Sequence, residues 1–195
     1  MSEPTAQSRR RPDPTELDAT DEAPADPRAV QAVAALIGTG TSIATAESLT
    51  GGLVCAALTS VPGASAVVYG GVASYSTDLK IRVLGVPAEV IAEHGTVAEV
   101  TARLMADGVR QLTGADLGVA TTGVAGPDPI EDHPVGTVFV AVTWQPGARG
   151  VAARESGGRV LALRCHGSRE QIRRQSVDAV LDLVVDVMDT ADPGG

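Results

Sequence analysis

The amino-acid sequence predicts a single three-layer α/β domain. Three observations favour this fold class: segments of strand length alternate with segments of helical spacing, the chain has 195 residues, and 44% of them are hydrophobic. A chain of this size buries roughly 70% of the surface that its unfolded form exposes, so it needs no disulfide or metal to fold. Because aromatic residues make up only 2% of the sequence, we expect a core of Ala, Val, Leu and Ile.

The two ends of the chain are predicted to lie outside the domain, which we place at residues 27–190. Residues 1–26 form an acidic tail that holds, with Pro27 at its edge, five of the twelve prolines and few large apolar side chains. Such a segment cannot bury enough surface to offset the entropy of ordering it, so we predict disorder. Residues 191–195 are predicted to be frayed for the same reason.

The first half of the domain is predicted from helical spacing, turn residues and short apolar runs. Gly38 and Gly40 are suitable C-cap residues for the first helix, and Pro62 ends the second. The pair Gly70–Gly71 inside a strand indicates a bulge or close packing. In chain order the elements are a helix at 28–37, a strand at 42–46, a helix at 49–60, a strand at 66–75, and short helices at 76–83 and 87–93.

The second half is predicted to hold two long helices and three strands. Thr96 and Glu99 match a capping box for a helix that runs to about Leu112, and Ser168 and Gln171 match another for a helix to about Met188. A buried strand at 117–122 precedes a loop that runs to Pro134. Residues 136–144 and 151–165 alternate as neighbouring antiparallel strands would, although Gly157–Gly158 could break the second.

Composition argues against several classes of function. The chain has 24 Asp and Glu and 15 Lys and Arg, which gives a net charge of −9. This negative charge and the scarcity of aromatic residues argue against nucleic-acid binding. Two cysteines and no apolar run of 18 residues predict a cytoplasmic protein without a membrane span. The three histidines have no ligand spacing, so we expect no metal and no other cofactor.

Ser48 is the first candidate for chemistry. It follows a predicted strand and precedes a helix whose first turn holds Thr50, Gly51 and Gly52. That arrangement exposes the hydroxyl and leaves backbone N–H groups free to stabilise an oxyanion or a phosphate. The alternative is that Ser48 only caps the helix and the glycines only permit close packing.

Lys80 is the second candidate, because it is the single lysine beside fourteen arginines. A lysine can lose its proton at accessible cost, whereas an arginine cannot. Burial can lower a lysine pKa by about 3–5, which would make Lys80 a general base for a nearby serine. The alternative is a surface lysine at the end of a short helix, paired with Asp78 or with nothing.

A glycine-rich loop is the third candidate. Thr122, Gly123 and Gly126 follow the predicted buried strand at its carboxyl end, where open α/β sheets place their ligands. The loop could equally be a turn with no ligand. Arg164 and Arg169 flank the start of the last helix and could reach a phosphate, although arginines on a solvated rim are common.

Eight segments together resemble the CinA C-terminal family, the nicotinamide-nucleotide amidohydrolases. The similarity covers residues 28–188, and nothing in the chain is long enough to be the molybdopterin-binding-like domain that some members carry in addition. The segments are TAESLTGG (45–52), VPGAS (61–65), GGVASYSTDLK (70–80), LGVP (84–87), HGTVAEVTARLMADGVR (94–110), GADLGVATTGVAGP (114–127), PVGTVFVAV (134–142) and GSREQIR (167–173).

The resemblance implies an α/β/α sandwich around a mixed sheet and hydrolysis of the carboxamide of nicotinamide mononucleotide. It also implies Ser48 as nucleophile, Lys80 as its base, Tyr75 as an orienting or relaying hydroxyl, and a homo-oligomer. Two positions depart from the family. Leu49 stands where members often have Cys, and the loop 128–133 is acidic where relatives often have further glycines.

The sequence thus predicts a Ser–Lys dyad that forms and then hydrolyses an acyl-enzyme without a metal. The substrate contacts are predicted to come from the turn 50–52, the loop 122–126, Arg164 and Arg169. Two alternatives remain open at this point. One is an amidase or esterase for another small amide, and the other is a non-catalytic nucleotide-binding or interaction module linked to competence or damage responses.

Overall fold

The computed structural model describes residues 24–151 and 156–189. Within these ranges lie six α-helices, five strands and a short 3₁₀ helix at Ala64–Ala66. The helices are α1 (Pro27–Thr39), α2 (Leu53–Thr59), α3 (Thr77–Arg82), α4 (Ala88–His94), α5 (Glu99–Thr113) and α6 (Arg169–Asp189). The strands are β1 (Ile43–Glu47), β2 (Val68–Ala73), β3 (Leu117–Gly123), β4 (Thr137–Trp144) and β5 (Gly157–Arg164).

The five strands form one mixed sheet in the order β2-β1-β3-β4-β5. Strands β1, β2 and β3 are parallel, whereas β4 is antiparallel to both β3 and β5. The prediction of an α/β domain with a mixed sheet is therefore confirmed, as is the antiparallel pairing of the last two strands.

Helices cover both faces of the sheet, and each face has its own core. Alternate residues of a strand point to opposite faces, so Val119 belongs to the core that the sheet shares with α1, α2 and α6, while Ala120 belongs to the core that it shares with α5. The first core is built on Val, Leu and Ile, whereas the second is rich in Ala and lets α5 lie close to the sheet. The three layers follow from this division.

The ends of the long helices are set by local capping. Asp26 accepts the Arg28 N–H at 2.8 Å and precedes Pro27 at the first turn of α1, which ends at Gly40 with φ of 67°. At α6 the Ser168 hydroxyl accepts the Gln171 N–H, and the Gln171 side chain accepts the Ser168 N–H. This second capping box is confirmed.

Two of the predicted helix starts are wrong. Helix α2 begins at residue 53 rather than 49, because residues 48–52 form a turn and Gly52, with φ of 104°, takes the N-cap position. Ser48 is therefore not a helix cap. The capping box at 96–99 does not form either, since Ala98 is the N-cap of α5 and the Thr96 hydroxyl donates instead to Glu131.

Both of the features predicted as alternatives for the glycine pair, a bulge and close packing, occur in β2. The register against β1 shifts between Val68 and Gly70, which leaves Tyr69 as the extra residue of a bulge. A Cβ atom on Gly71 would collide with the side chain of Thr45. Gly71 thus permits β2 to lie against β1.

Some predictions fall outside the described residues. The disordered tail falls there over residues 1–23, as do the frayed end at 191–195 and part of the segment before β5, at 152–155. Within the described ranges, no helix combines the length and the apolar character needed to cross a bilayer.

Candidate active site

A cavity of about 140 Å³ opens at the carboxyl ends of the three parallel strands. Ser48 follows β1, Tyr75 lies two residues after β2, and Thr122 and Gly123 end β3. Open α/β sheets bind ligands at this edge. The cavity is lined by Ser48, Leu49, Tyr75, Thr77, Lys80, Thr96, Val97, Thr122, Gly123, Ala125, Gly126, Ile130 and Arg169.

Ser48 and Lys80, which are 32 positions apart in the sequence, meet in this cavity. The Lys80 Nζ donates to the Ser48 Oγ at 3.1 Å and to the Ser74 carbonyl oxygen at 2.8 Å. A neutral amine has two N–H bonds and one lone pair, so a hydrogen bond to Ser74 leaves the lone pair free for the serine proton. The geometry is that of a nucleophile and its base.

Burial is the main influence on the charge of Lys80. The side chain is 2% exposed, and no carboxylate is among its hydrogen-bond partners; Asp78 pairs with Arg82 instead. Removal from water lowers the pKa of Lys80 to about 8, against a smaller opposing effect of Glu131. The alternative of an exposed lysine paired with Asp78 is therefore wrong.

Glu47, a residue that the sequence analysis did not single out, holds the turn that carries Ser48. Its carboxylate is 1% exposed and accepts the N–H groups of Gly52, Val54 and Cys55 at 2.8–3.0 Å. These donors are free because they belong to the start of α2. The signal in the sequence is an acid at the end of an otherwise uncharged buried strand, directly before the serine.

Within the turn, the backbone N–H groups of the two glycines are already used. The Gly51 N–H donates to the Ser48 carbonyl, and the Gly52 N–H donates to Glu47. Among the described residues, the Leu49 and Thr50 N–H groups have no acceptor. Arg173 donates to the Leu49 and Thr50 carbonyls at 2.9 and 2.8 Å. The Leu49 carbonyl and the Thr50 N–H belong to one trans peptide group and point in opposite directions, so the Thr50 N–H points away from Arg173.

Tyr75 and Arg169 stand together at the mouth of the cavity. The Arg169 guanidinium donates to the Tyr75 hydroxyl at 3.0 Å and to the Gly126 carbonyl at 2.8 Å. Tyr75 is 64% exposed. Arg169 is the first residue of α6, so this contact joins α6 to the segments that follow β2 and β3.

The structure brings only part of the predicted contact set to the cavity. Thr122, Gly123 and Gly126 line it, although the Thr122 hydroxyl donates to the Thr96 carbonyl. Thr50 does not, because its hydroxyl is buried against that of Thr121 at 2.7 Å. Neither do Gly51 and Gly52, nor Arg164, whose guanidinium donates to the Thr137 hydroxyl.

Within the described ranges, no group of three or more His, Cys, Asp and Glu side chains is arranged to hold a metal ion. The cavity offers a hydroxyl, a buried amine and an arginine at the mouth, and the turn that carries the hydroxyl holds two backbone N–H groups without an acceptor among the described residues, those of Leu49 and Thr50. Such a set suits nucleophilic attack on a carbonyl carbon.

Comparison with known proteins gives one family. The family model described as the CinA C-terminal domain matches residues 26–188. A putative competence-damage inducible protein of Geobacillus kaustophilus is 47% identical over 134 residues, which are 69% of this chain and 30% of that protein. A CinA-like protein of Frankia casuarinae is 45% identical over 149 residues, 76% of this chain and 32% of that protein. The chain thus spans about a third of the length of these curated relatives.

Solved structures of similar proteins share the fold. A CinA superfamily protein of Klebsiella pneumoniae is 31% identical, with a TM-score of 0.74, and the match covers 84% of this chain and 96% of that one. The competence/damage inducible protein CihA of Agrobacterium tumefaciens is 32% identical, with a TM-score of 0.73, over 85% of this chain and 99% of that one.

The titration of Lys80 can be read directly, because the sequence has one lysine. Protein labelled with ¹³C at the lysine Cε position should give one such resonance, whose chemical shift follows the charge of the amine. We expect a midpoint near the pKa of about 8 that burial produces. A midpoint above 10 would show that the amine is solvated and would remove it as a base.

Replacement of Lys80 by Met should stabilise the protein while it removes the base. The pKa of Lys80 is about 8 in the folded state against a reference near 10.4, so the buried charge lowers the stability at pH 7 by about 3 kcal/mol. Methionine removes this cost but leaves the Ser74 carbonyl without its donor. We therefore expect a net gain in stability of about 1–3 kcal/mol.

The gain should be full below pH 8, where Lys80 is charged in both states. It should shrink as the pH rises towards 10.4, because the lysine of the unfolded chain then also loses its proton readily. Urea unfolding of both proteins at pH 7 and pH 10 measures it. If the free energy of unfolding differed between the two proteins by the same amount at pH 7 and at pH 10, the burial of a charged amine would be contradicted.

Replacement of Glu47 by Gln should destabilise the turn. Both carboxylate oxygens of Glu47 accept backbone N–H groups, so a glutamine NH₂ must face one of these donors in either orientation. One buried N–H then has no acceptor, at a cost of about 1–3 kcal/mol. Thermal unfolding measures the loss, with Glu89→Gln on the exposed first turn of α4 as control. A change no larger than that of the control would show that the turn does not depend on the carboxylate.

Proposed function

The chain belongs to the CinA C-terminal domain family, and we propose that it hydrolyses the carboxamide of nicotinamide mononucleotide to the acid and ammonia through a Ser48–Lys80 dyad. The observation that carries the proposal is the Lys80 amine, buried and 3.1 Å from the Ser48 hydroxyl. The substrate follows from the resemblance of the sequence to the amidohydrolases of this family.

The first half of the reaction forms an acyl-enzyme. Neutral Lys80 takes the hydroxyl proton while the Ser48 oxygen attacks the carboxamide carbon. The resulting ammonium then gives a proton to the departing nitrogen, which leaves as ammonia, and a nicotinoyl ester remains on Ser48. With a pKa of about 8, Lys80 is basic enough to take the proton and acidic enough to return it.

The second half returns the enzyme to its starting state. A water molecule gives a proton to Lys80 and attacks the ester carbon, and Ser48 leaves with the proton that Lys80 held. The oxyanion of each step needs donors that are not already used. The Leu49 and Thr50 N–H groups meet this requirement better than those of Gly51 and Gly52, which have acceptors within the turn.

The size of the cavity supports a substrate that enters only in part. Its volume of about 140 Å³ is below the roughly 300–1,000 Å³ of sites that enclose a whole small ligand. A pyridine ring with its carboxamide would enter, and the ribose phosphate would stay at the mouth. Arg169 donates one N–H to the Gly126 carbonyl and one to the Tyr75 hydroxyl. A guanidinium has five N–H groups, so three remain to bind a phosphate.

Lys80→Arg should abolish hydrolysis as completely as Ser48→Ala does, because arginine keeps the charge and cannot act as a base. We expect a loss on the order of 10³-fold or more in kcat for each. Ammonia release from nicotinamide mononucleotide measures it, with Ser60→Ala at the exposed end of α2 as the matched serine control. If the folded Lys80→Arg protein kept near-normal activity, the assignment of a Ser48–Lys80 dyad would be wrong.

The same assay separates the alternative functions. Faster release of ammonia from nicotinamide, nicotinamide riboside or glutamine than from the mononucleotide would indicate an amidase for another substrate. No turnover of any amide by the wild-type protein would favour a binding or interaction module.

A further inference from the structure

The loop between β3 and β4 carries two acidic residues in an unusual backbone conformation. Glu131 and Asp132 have φ of 51° and 61°, between Ile130 and His133, which pair with each other through both backbone hydrogen bonds. Residues other than glycine adopt positive φ infrequently, and each such position costs about 1–2 kcal/mol. The conformation therefore requires contacts that hold it.

Glu131 supplies these contacts through its carboxylate. Its Oε2 accepts the N–H groups of Thr96 and Val97 at 2.7 and 3.1 Å, and its Oε1 accepts the Thr96 hydroxyl at 2.8 Å. Gly95, with φ of 84°, makes room for them, because a Cβ atom there would collide with the carboxylate. Three donors from the turn before α5 thus meet on one side chain of a distant loop.

The residues joined by this contact are walls of the cavity. Ile130, Thr96 and Val97 all line it, and so does Thr122, whose hydroxyl donates to the Thr96 carbonyl at 2.6 Å. A shift of the Glu131 carboxylate would therefore release Thr96 and Val97, and with Thr96 the acceptor of the Thr122 hydroxyl.

We propose that Glu131 is a positioning residue: its carboxylate fastens the loop 128–133 to the turn before α5, and its negative charge acts on Lys80 of the Ser48–Lys80 pair. Its effect on catalysis rests on the proposed function, whereas its effects on the loop and on Lys80 do not.

The charge of Glu131 has an identifiable target. It raises the pKa of Lys80 and so opposes the larger effect of burial. The other charged or titratable groups near Lys80 are engaged elsewhere: Arg169 with Tyr75, Asp78 with Arg82 on α3, and Glu47 with the turn at α2. Removal of the Glu131 charge should therefore make Lys80 a free amine at lower pH.

Two substitutions separate the mechanical role of Glu131 from its charge. In Glu131→Gln the amide oxygen can replace Oε2 and accept both N–H groups, while the NH₂ group donates to the Thr96 hydroxyl, which can also accept. The contact is kept and the charge is lost. Glu131→Ala loses both. Asp128→Asn removes a charge from the same loop and serves as the control.

The loop contact is tested by hydrogen exchange of the Thr96 and Val97 amides, which needs no substrate. Exchange should be at least about tenfold faster in Glu131→Ala and close to the wild-type rate in Glu131→Gln and Asp128→Asn. Wild-type exchange rates in Glu131→Ala would overturn the fastening role.

The charge is tested with the single ¹³C-lysine resonance. Its titration midpoint should be lower in Glu131→Gln than in the wild type and unchanged in Asp128→Asn. In the ammonia assay, Glu131→Gln should raise kcat/KM at pH 7 at least roughly twofold and leave it unchanged at pH 9.5, where Lys80 is mostly neutral in both proteins. Glu131→Ala should raise KM at both pH values.

The outcomes distinguish this inference from the proposed function. If the wild-type protein releases no ammonia, the proposed function fails, while exchange and the lysine titration still decide the role of Glu131. If the wild-type protein is active and the Glu131→Gln titration and pH profile match the wild type, the charge role is overturned. A Glu131→Gln protein with lower activity at pH 7 and an unshifted profile overturns it as well.

Discussion

A lysine amine held away from water is the constraint on which the candidate site depends. Burial of this amine lowers the stability of the fold. It occurs because α3 holds Lys80 against the segment that follows β2, where its hydrogen-bond partners are the Ser74 carbonyl and the Ser48 hydroxyl. Had a carboxylate been the direct partner, the pKa of Lys80 would have been higher and a smaller fraction of it would be the free amine near neutral pH. The packing of a six-residue helix thereby determines what a serine on another element can do.

Two carboxylates organise the surroundings of that amine in different ways. Glu47 is buried, and each of its oxygens accepts at least one backbone N–H group near Ser48, with the Thr45 hydroxyl as a further donor, so its role needs acceptors on both oxygens. Glu131 is exposed, and one of its oxygens accepts the hydrogen of the Thr96 hydroxyl, a group that can either donate or accept a hydrogen bond. An amide in place of the first carboxylate therefore leaves a buried N–H without an acceptor, whereas an amide in place of the second can keep the contact. Of the two, only Glu131 acts on the charge of Lys80.

Local pattern predicted the fold well and the site in part, for physical reasons that particular residues illustrate. The Ser168 capping box forms because both its members lie within one turn. The match at Thr96 fails because Glu131, 35 positions later, offers its N–H and hydroxyl a better acceptor. Thr50 points to Thr121 on β3 rather than to the cavity for a similar reason. Lys80 was found because a lone lysine among arginines is a chemical signal that does not require knowledge of distant contacts.

The distribution of charge limits how an anionic substrate could approach. Of the residues that line the cavity, Lys80 and Arg169 carry positive charge, and the first is enclosed. Arg173 lies near Ser48 but donates to the Leu49 and Thr50 carbonyls, and Arg164 donates to Thr137. The Thr96 and Val97 amides, which could have bound an anion at the start of α5, already hold Glu131. Under the proposed function, a phosphate would therefore bind Arg169 at the mouth, and the carboxamide at the opposite end of the substrate would reach Ser48.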